Sequence, residues 1–218
     1  MVLTEEDYIL RLIEEGEHTH QDFKFAISDA RKIAKSISAF SNTEGGRLLI
    51  GVKDNGKIAG IQSEEEIYMI EAAAQMYCTP KIKMTNKIFR VKGKDVLEVT
   101  INESEHKPVF AIDENKKPWA YVRINDENIL ADTVYLNRWK YNKHDENVVI
   151  TYSDREKLLL DVLNENGEIT LNRCSKLSGI SRIETSRLLA DFIRFDLVEQ
   201  IFVGHTFYFR IKDDSFNR

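Results

Sequence analysis

The chain has 218 residues, 42% of them apolar, enough to bury the core of one medium-sized domain and a small second one. Its formal net charge of −5 argues against a protein that coats nucleic acid through bulk positive charge, because such binding rests on summed Lys and Arg contacts to phosphate; any nucleic-acid function must come from a local site. No long apolar run marks a membrane span, the acidic start at residues 1–7 lacks an apolar signal core, and Cys78 and Cys174 have neither disulfide-framework nor zinc spacing, so a cytoplasmic protein is expected.

In chain order, Thr4 is placed to cap a helix that carries Tyr8, Ile9, Leu12 and Ile13 at helical spacing and ends at Gly16. An approach strand follows, on which apolar Phe23 and Phe25 alternate with Asp22 and Lys24. Asp29 caps the next helix, with Ile33, Ala34, Ile37 and Phe40 opposite Arg31, Lys32 and Lys35. A polar turn over 41–46 leads into a buried strand at 47–52, and Asp54-Asn55-Gly56 reads as a hairpin turn returning through a partner strand at 57–60. Ser63 and Glu64 to Glu66 open a third helix, which Pro80 stops. Residues 81–89 and 94–101 alternate as two strands around Lys92-Gly93, and short strands at 107–110 and 120–124 flank the turn Asp113-Glu114-Asn115. A helix at 131–141 then precedes a polar linker at 142–147.

From Ser153 the pattern changes. Helix 154–164, a short strand at 167–170, helices 171–177 and 182–195 joined by Ser178-Gly179-Ile180-Ser181, and a hairpin around Gly204 give the order of a winged helix. The expected fold class is α+β: a mixed sheet with helices over residues 1–145, then a C-terminal winged helix-turn-helix over 150–218.

Glu17-x4-Asp22-Phe23-Lys24, followed by Ala39-Phe40-Ser41-Asn42-Thr43-Glu44-Gly45-Gly46-x3-Ile50-Gly51-Val52-x-Asp54, resembles the Schlafen-type AlbA domain. Lys107-Pro108 and Tyr121-Val122-Arg123 match that family's later His-x-Pro and Tyr-x-Arg signals. The resemblance spans about residues 10–140 and implies a tie to nucleic acid, DNA or RNA. With a winged helix attached, the chain looks like bacterial proteins described as transcriptional regulators. Vertebrate Schlafen nucleases carry a Glu, Glu, Asp triad in this part of the domain. The matching positions are Glu17, Asp22 and Asp54, which could hold Mg2+ or Mn2+ for phosphodiester cleavage, with Lys24 neutralising the phosphate. The alternative is that Glu17 is a solvated turn residue and Asp54 only begins its turn.

Asn42, Thr43, Gly45 and Gly46 could form a phosphate-facing loop, or simply finish a helix. The loop lacks the Walker A pattern and runs helix to strand, which argues against an ATPase. Lys24, Lys81, Lys83 and Lys87 could give a basic, phosphate-contacting face on the sheet, or simply be the outward polar residues of a solvated strand. In the winged helix, Arg182, Thr185, Ser186 and Arg187 are the residue types that reach bases and phosphates from a helix N-terminus. Residues 151–218 carry 10 Lys and Arg against 11 Asp and Glu, a balance that leaves protein interaction or homodimerisation open for this segment. Three functions follow: a nucleic-acid-binding transcriptional regulator, a metal-dependent endoribonuclease, or a ligand- or partner-sensing domain controlling the wing.

Overall fold

A computed structural model describes residues 4–141 and 153–212. The linker at 142–147, and the domain boundary expected beside it, lie outside them. The chain divides into two compact units, Met1–Leu130 and Ala131–Arg218. The helix expected to close the first domain therefore belongs to the second unit, because its Val134 is buried with Leu159, Leu189 and Phe209.

The first unit runs α1 (Glu5–Glu15), β1 (Gln21–Lys24), α2 (Ala30–Asn42), β2 (Gly46–Ile50), α3 (Glu65–Met76), β3 (Cys78–Thr79), β4 (Met84–Val91), β5 (Lys94–Ile101), β6 (Phe110–Ile112), β7 (Pro118–Ile124) and β8 (Glu127–Leu130). A capping box between Thr4 and Asp7 starts α1, and the Asp29 side chain accepts the Arg31 N–H to start α2. One sheet has the order β1-β2-β5-β4, with β1 and β2 parallel and the other pairs antiparallel. The second, β3-β6-β7-β8, is antiparallel. Lys92 and Gly93 both have positive φ, 48° and 76°, as a two-residue hairpin between β4 and β5 requires.

Strand alternation assigns the faces of the first sheet. Leu49 packs with Ile9, Leu12 and Phe23 beneath α1, whereas Leu48 and Ile50 pack with Ile33, Ile37 and Phe40 of α2 and Ile70 of α3. The α2 cluster also takes in Val109 and Ala111 beside the second sheet, so α2 lies between both sheets. Small residues make this possible: Ala34, Ser36, Ser38, Ala39 and Ser41 are buried around the helix. Ser38 Oγ donates to the Val109 carbonyl at 2.7 Å and accepts from the Tyr121 N–H at 3.1 Å. Each fully buried Ile or Leu contributes about 1.5–3 kcal/mol to holding these layers together.

The structure departs from expectation at several points. The strand expected from residue 81 begins at Met84, and β8 was not expected at all. Residues 57–60 form no strand. Val52 and Ile58 make a single bridge, and the Ala59 and Gly60 N–H groups both donate to the Gly51 carbonyl, which bends the chain. On β1 the expected alternation fails: Gln21, Asp22 and Phe23 are all buried, while Phe25 is 48% exposed.

The second unit contains α4 (Thr133–Tyr141), α5 (Asp154–Asn166), α6 (Leu171–Ser178), α7 (Arg182–Arg194) and the antiparallel hairpin β9 (Val198–Val203) and β10 (Thr206–Ile211). Gly179 adopts a left-handed conformation at φ 69°, ending α6, and Ser181 caps α7. The strand expected at 167–170 is reduced to one bridge, Ile169 to Phe209, on the edge of the hairpin. Leu163, Cys174, Leu189, Phe192 and Phe209 form the core. Both cysteines are buried thiols, pushed by desolvation to about 12, and so are chemically quiet. Among the described residues no helix is long and apolar enough to cross a membrane.

Candidate functional site

The polar cluster expected around Glu17, Asp22 and Lys24 sits at the margin of its sheet, because β1 is the outermost strand. Even-numbered residues of β1 turn their backbone groups toward β2, as shown by the bonds from Arg47 N–H to His20 O and from Gly51 N–H to Lys24 O. The odd-numbered groups face outward. The Gln21 N–H donates to the His18 carbonyl at 3.1 Å and the Gln21 carbonyl accepts the His18 N–H at 3.0 Å, whereas the groups of Phe23 would be left unpaired. Side chains take them up. Glu17 accepts the Phe23 N–H at 2.8 Å, Lys24 Nζ donates to the Phe23 carbonyl at 2.8 Å, and Arg123 Nη2 also donates to the Gln21 carbonyl at 3.1 Å.

Asp22 is 4% exposed and faces α2 and β7. Lys24 Nζ lies 2.6 Å from its Oδ2, and Arg123 Nη2 lies 3.4 Å from its Oδ1. Arg123, 3% exposed, also sets its guanidinium 5.0 Å from the centre of the Phe40 ring. Burial pushes the Glu17 carboxyl above its ordinary value, with Asp22 adding to the rise; the Phe23 N–H and Lys24 oppose it. Desolvation is a larger cause than repulsion from Asp22.

Asp54 does not join them. It is exposed, in a turn closed by Gly56 N–H to Lys53 O at 2.7 Å and Lys53 N–H to Lys57 O at 3.1 Å. Among the described residues, no group of three or more His, Cys, Asp or Glu side chains is placed to hold a metal ion. The Mg2+ or Mn2+ site expected from Glu17, Asp22 and Asp54 is thus not assembled. Its central carboxylate is already neutralised by two cations, a donor set that does not fit a divalent ion.

The loop over residues 42–46 is built into the core. Asn42 is 4% exposed; its Nδ2 donates to Val109 O at 2.8 Å and Tyr121 O at 2.9 Å, and its Oδ1 accepts the Val109 N–H at 2.7 Å. Thr43 Oγ1 donates to Ala39 O and accepts the Arg123 N–H at 2.9 Å. Gly45 needs its positive φ of 75°, and a Cβ at Gly46 would come 2.8 Å from the His20 carbonyl. Asn42 and Thr43 therefore have their polar groups committed within the fold, and the loop is a helix end rather than a cradle of free donors. Gly45 and Gly46 instead line one side of an open cleft of about 420 Å3, where Tyr8 Oη donates to Glu98 at 2.8 Å and Arg47 stands 3.9 Å from the same carboxylate.

Lys81 and Lys83 are exposed, but they precede β4 rather than lie on it. On α7, Arg182 and Arg187 are exposed; Arg182 Nε donates to Asn172 at 2.9 Å, and Arg187 lies 3.9 Å from Glu184. Thr185 and Ser186 are buried, which corrects their expected role at a nucleic-acid surface. Thr185 Oγ1 donates to Ser181 O at 3.0 Å, and Ser186 Oγ donates to Ile183 O and accepts from Asn137.

A second site went unrecognised in the sequence. A groove of about 350 Å3 runs between the exposed side of α2 and the β6–β7 hairpin, with Arg31, Lys32 and Lys35 on one wall and Trp119 and Tyr121 on the other. The cations were read only as the solvated face of a helix. What could have flagged the groove is an aromatic pair at i, i+2 on the strand that carries Tyr-x-Arg.

The family described as Schlafen, AlbA_2 matches residues 17–132, more than half of the chain. No curated protein sequence matches it. Among solved structures, the DIP2311 protein of Corynebacterium diphtheriae is similar at 19% identity and a TM-score of 0.45, over 71% of this chain and 32% of that one. The chain thus spans about a third of that protein's length. The N-terminal domain of a protein of Nitrosomonas europaea, named as related to the ATP-dependent DNA helicase RecG, is similar at 18% identity and a TM-score of 0.43, over 69% of this chain and 97% of that one.

Proposed function

This chain belongs to the Schlafen AlbA_2 family, and on that footing we propose that it is a nucleic-acid-binding regulator that holds its target without cutting it. The observation that carries the reading is in the second unit. Helices α6 and α7 are joined by a short turn with left-handed Gly179, and a β-hairpin follows whose β10 pairs with Ile169. That succession supports a winged helix-turn-helix, with α7 as the helix offered to duplex DNA and Arg182 and Arg187 as its phosphate contacts. Base reading from α7 would fall to its other exposed positions, because Thr185 and Ser186 face inward.

Binding is favoured over cleavage by the state of Asp22. The Asp22 carboxylate is already paired with two cations, Lys24 and Arg123, and Asp54 does not join it in a group able to hold a metal. The test is a fluorescence-anisotropy titration of labelled duplex DNA and single-stranded RNA at several salt concentrations, run beside an RNA-cleavage assay with Mg2+ or Mn2+. Salt-dependent binding without cleavage is the expected result. Metal-dependent cleavage, or no binding to either nucleic acid, would overturn the proposal.

A further inference from the structure

The geometry points to a nucleotide site in the groove between α2 and the β6–β7 hairpin, where Trp119 would stack a base and Lys32 and Lys35 would hold its phosphate. The inference deepens the nucleic-acid reading above and rests on it. The groove, at about 350 Å3, falls within the range of small-ligand sites, which is roughly 300–1,000 Å3. Its aromatic wall is prepared in advance. Trp119 and Tyr121 are two residues apart on β7 and so point to the same face. Trp119 is 40% exposed, large for a tryptophan in a folded unit. Its Nε1 donates to Asp113 Oδ2 at 2.9 Å, and Asp113 Oδ1 accepts the Lys117 and Asn115 N–H groups at 2.8 Å each. The indole is thereby fixed by its polar edge. The bonds from Trp119 and then Lys117 also hold the Asp113 carboxyl below its ordinary value, keeping the acceptor ionised.

The opposite wall supplies the charge. Lys35 Nζ lies 5.9 Å from the centre of the Tyr121 ring, and Arg31 lies 4.8 Å from that of Tyr77. Arg31 Nε is buried without a hydrogen-bond partner, while the side chain as a whole helps to line the groove. Lys32 is exposed between them. Three carboxylates also border the groove, so it carries no net charge. Asp29 is committed to capping α2 and Asp113 to holding Trp119, which leaves Glu114. A groove of this balance does not draw in a polyanion by its field. It recognises one unit by contact: a flat ring on an aromatic wall, with cations beside it for the attached phosphate. That unit is an unpaired nucleotide, whether free or part of a single strand.

The full chain contains two tryptophans, and Trp139 is only 7% exposed, so quenching by a ligand reports mainly on Trp119. Titration with adenosine monophosphate, a labelled single-stranded oligonucleotide and the same oligonucleotide as a duplex should quench the emission for one or both of the first two and not for the duplex. Quenching by the monophosphate alone identifies a free nucleotide as the source, and quenching by the strand identifies an unpaired base in a chain. By anisotropy, Trp119→Ala should weaken the binding of that ligand roughly tenfold, and Trp119→Phe, which keeps a ring, should restore most of it. Lys32→Ala with Lys35→Ala should weaken it and flatten its salt dependence. If the protein binds nucleic acid with its emission unchanged and with Trp119→Ala as tight as the parent, the groove is not the site and the broader reading stands. If it binds none of the three, both readings fall.

Discussion

Arg123 on β7 and Asp22 on β1 join the two sheets of the first unit through a buried ion pair, Nη2 to Oδ1 at 3.4 Å, with neither residue more than 4% exposed. Each charge is out of water, so the removal of one leaves the other uncompensated. Arg123→Ala should therefore cost about 3–5 kcal/mol of stability in urea melts. The double variant Asp22→Asn, Arg123→Met should be less destabilised than the single, because it removes both charges. Equal losses in the two variants would show that the pair matters only for packing.

Glu17 gives a pH dependence of definite sign. Its folded pKa lies above the ordinary 4.5, so the folded chain holds this proton more tightly than the unfolded chain does. The contribution to stability is present in acid, below 4.5, and is lost as pH rises through the raised folded value. Glu17→Gln keeps an oxygen for the Phe23 N–H and removes the ionisation. The variant should gain on the parent as pH rises from the ordinary value of 4.5 through the raised folded value, by a small amount because solvent reaches the carboxyl and screens it. A gain in the opposite sense would place the folded pKa below the ordinary one.

On α7 the exposed and buried residues should separate cleanly. Arg182→Ala and Arg187→Ala should each weaken duplex binding and lower its salt slope by roughly one unit, with little change in melting temperature. Thr185→Ala should instead cost about 1 kcal/mol of stability, through lost hydrogen bonds at a buried position, and leave the salt slope unchanged.

Asp54→Ala should be silent. The residue is exposed in a turn, so stability should change by less than about 0.5 kcal/mol. Adding Mg2+ or Mn2+, or removing both with a chelator, should leave nucleic-acid binding by parent and variant alike. A metal requirement abolished by this substitution would restore the catalytic reading.

Much of the fold was legible because capping and turn chemistry are local. Thr4, Asp29, Gly179 and the Lys92-Gly93 turn each marked an element boundary that the structure keeps to within a residue or two. The faces of β1 were not legible. Asp22 is buried by Arg123, about a hundred residues away in the chain, and no period in four residues of sequence carries that information. The same holds for α4, whose apolar side fits either neighbouring unit by pattern alone and whose packing partners decide the matter. At the expected site, Glu17, Asp22 and Lys24 do meet, but the family signature could not say that their bonds go to the backbone of an outer strand. The groove stayed hidden for the converse reason: Trp119 and Lys35 become neighbours only once α2 is laid against the hairpin.

The position of α2 between two sheets also bears on how the first unit comes apart. Neither sheet has a core of its own on that side, since Ile37 and Phe40 share one cluster with Leu48 and Val109. Withdrawing the helix would strip both sheets at once and leave the Val109 and Tyr121 backbone without Ser38 and Asn42. The amides of β2 and β7 should therefore exchange with solvent in a single cooperative opening, so that this helix sets the size of the smallest piece able to unfold by itself.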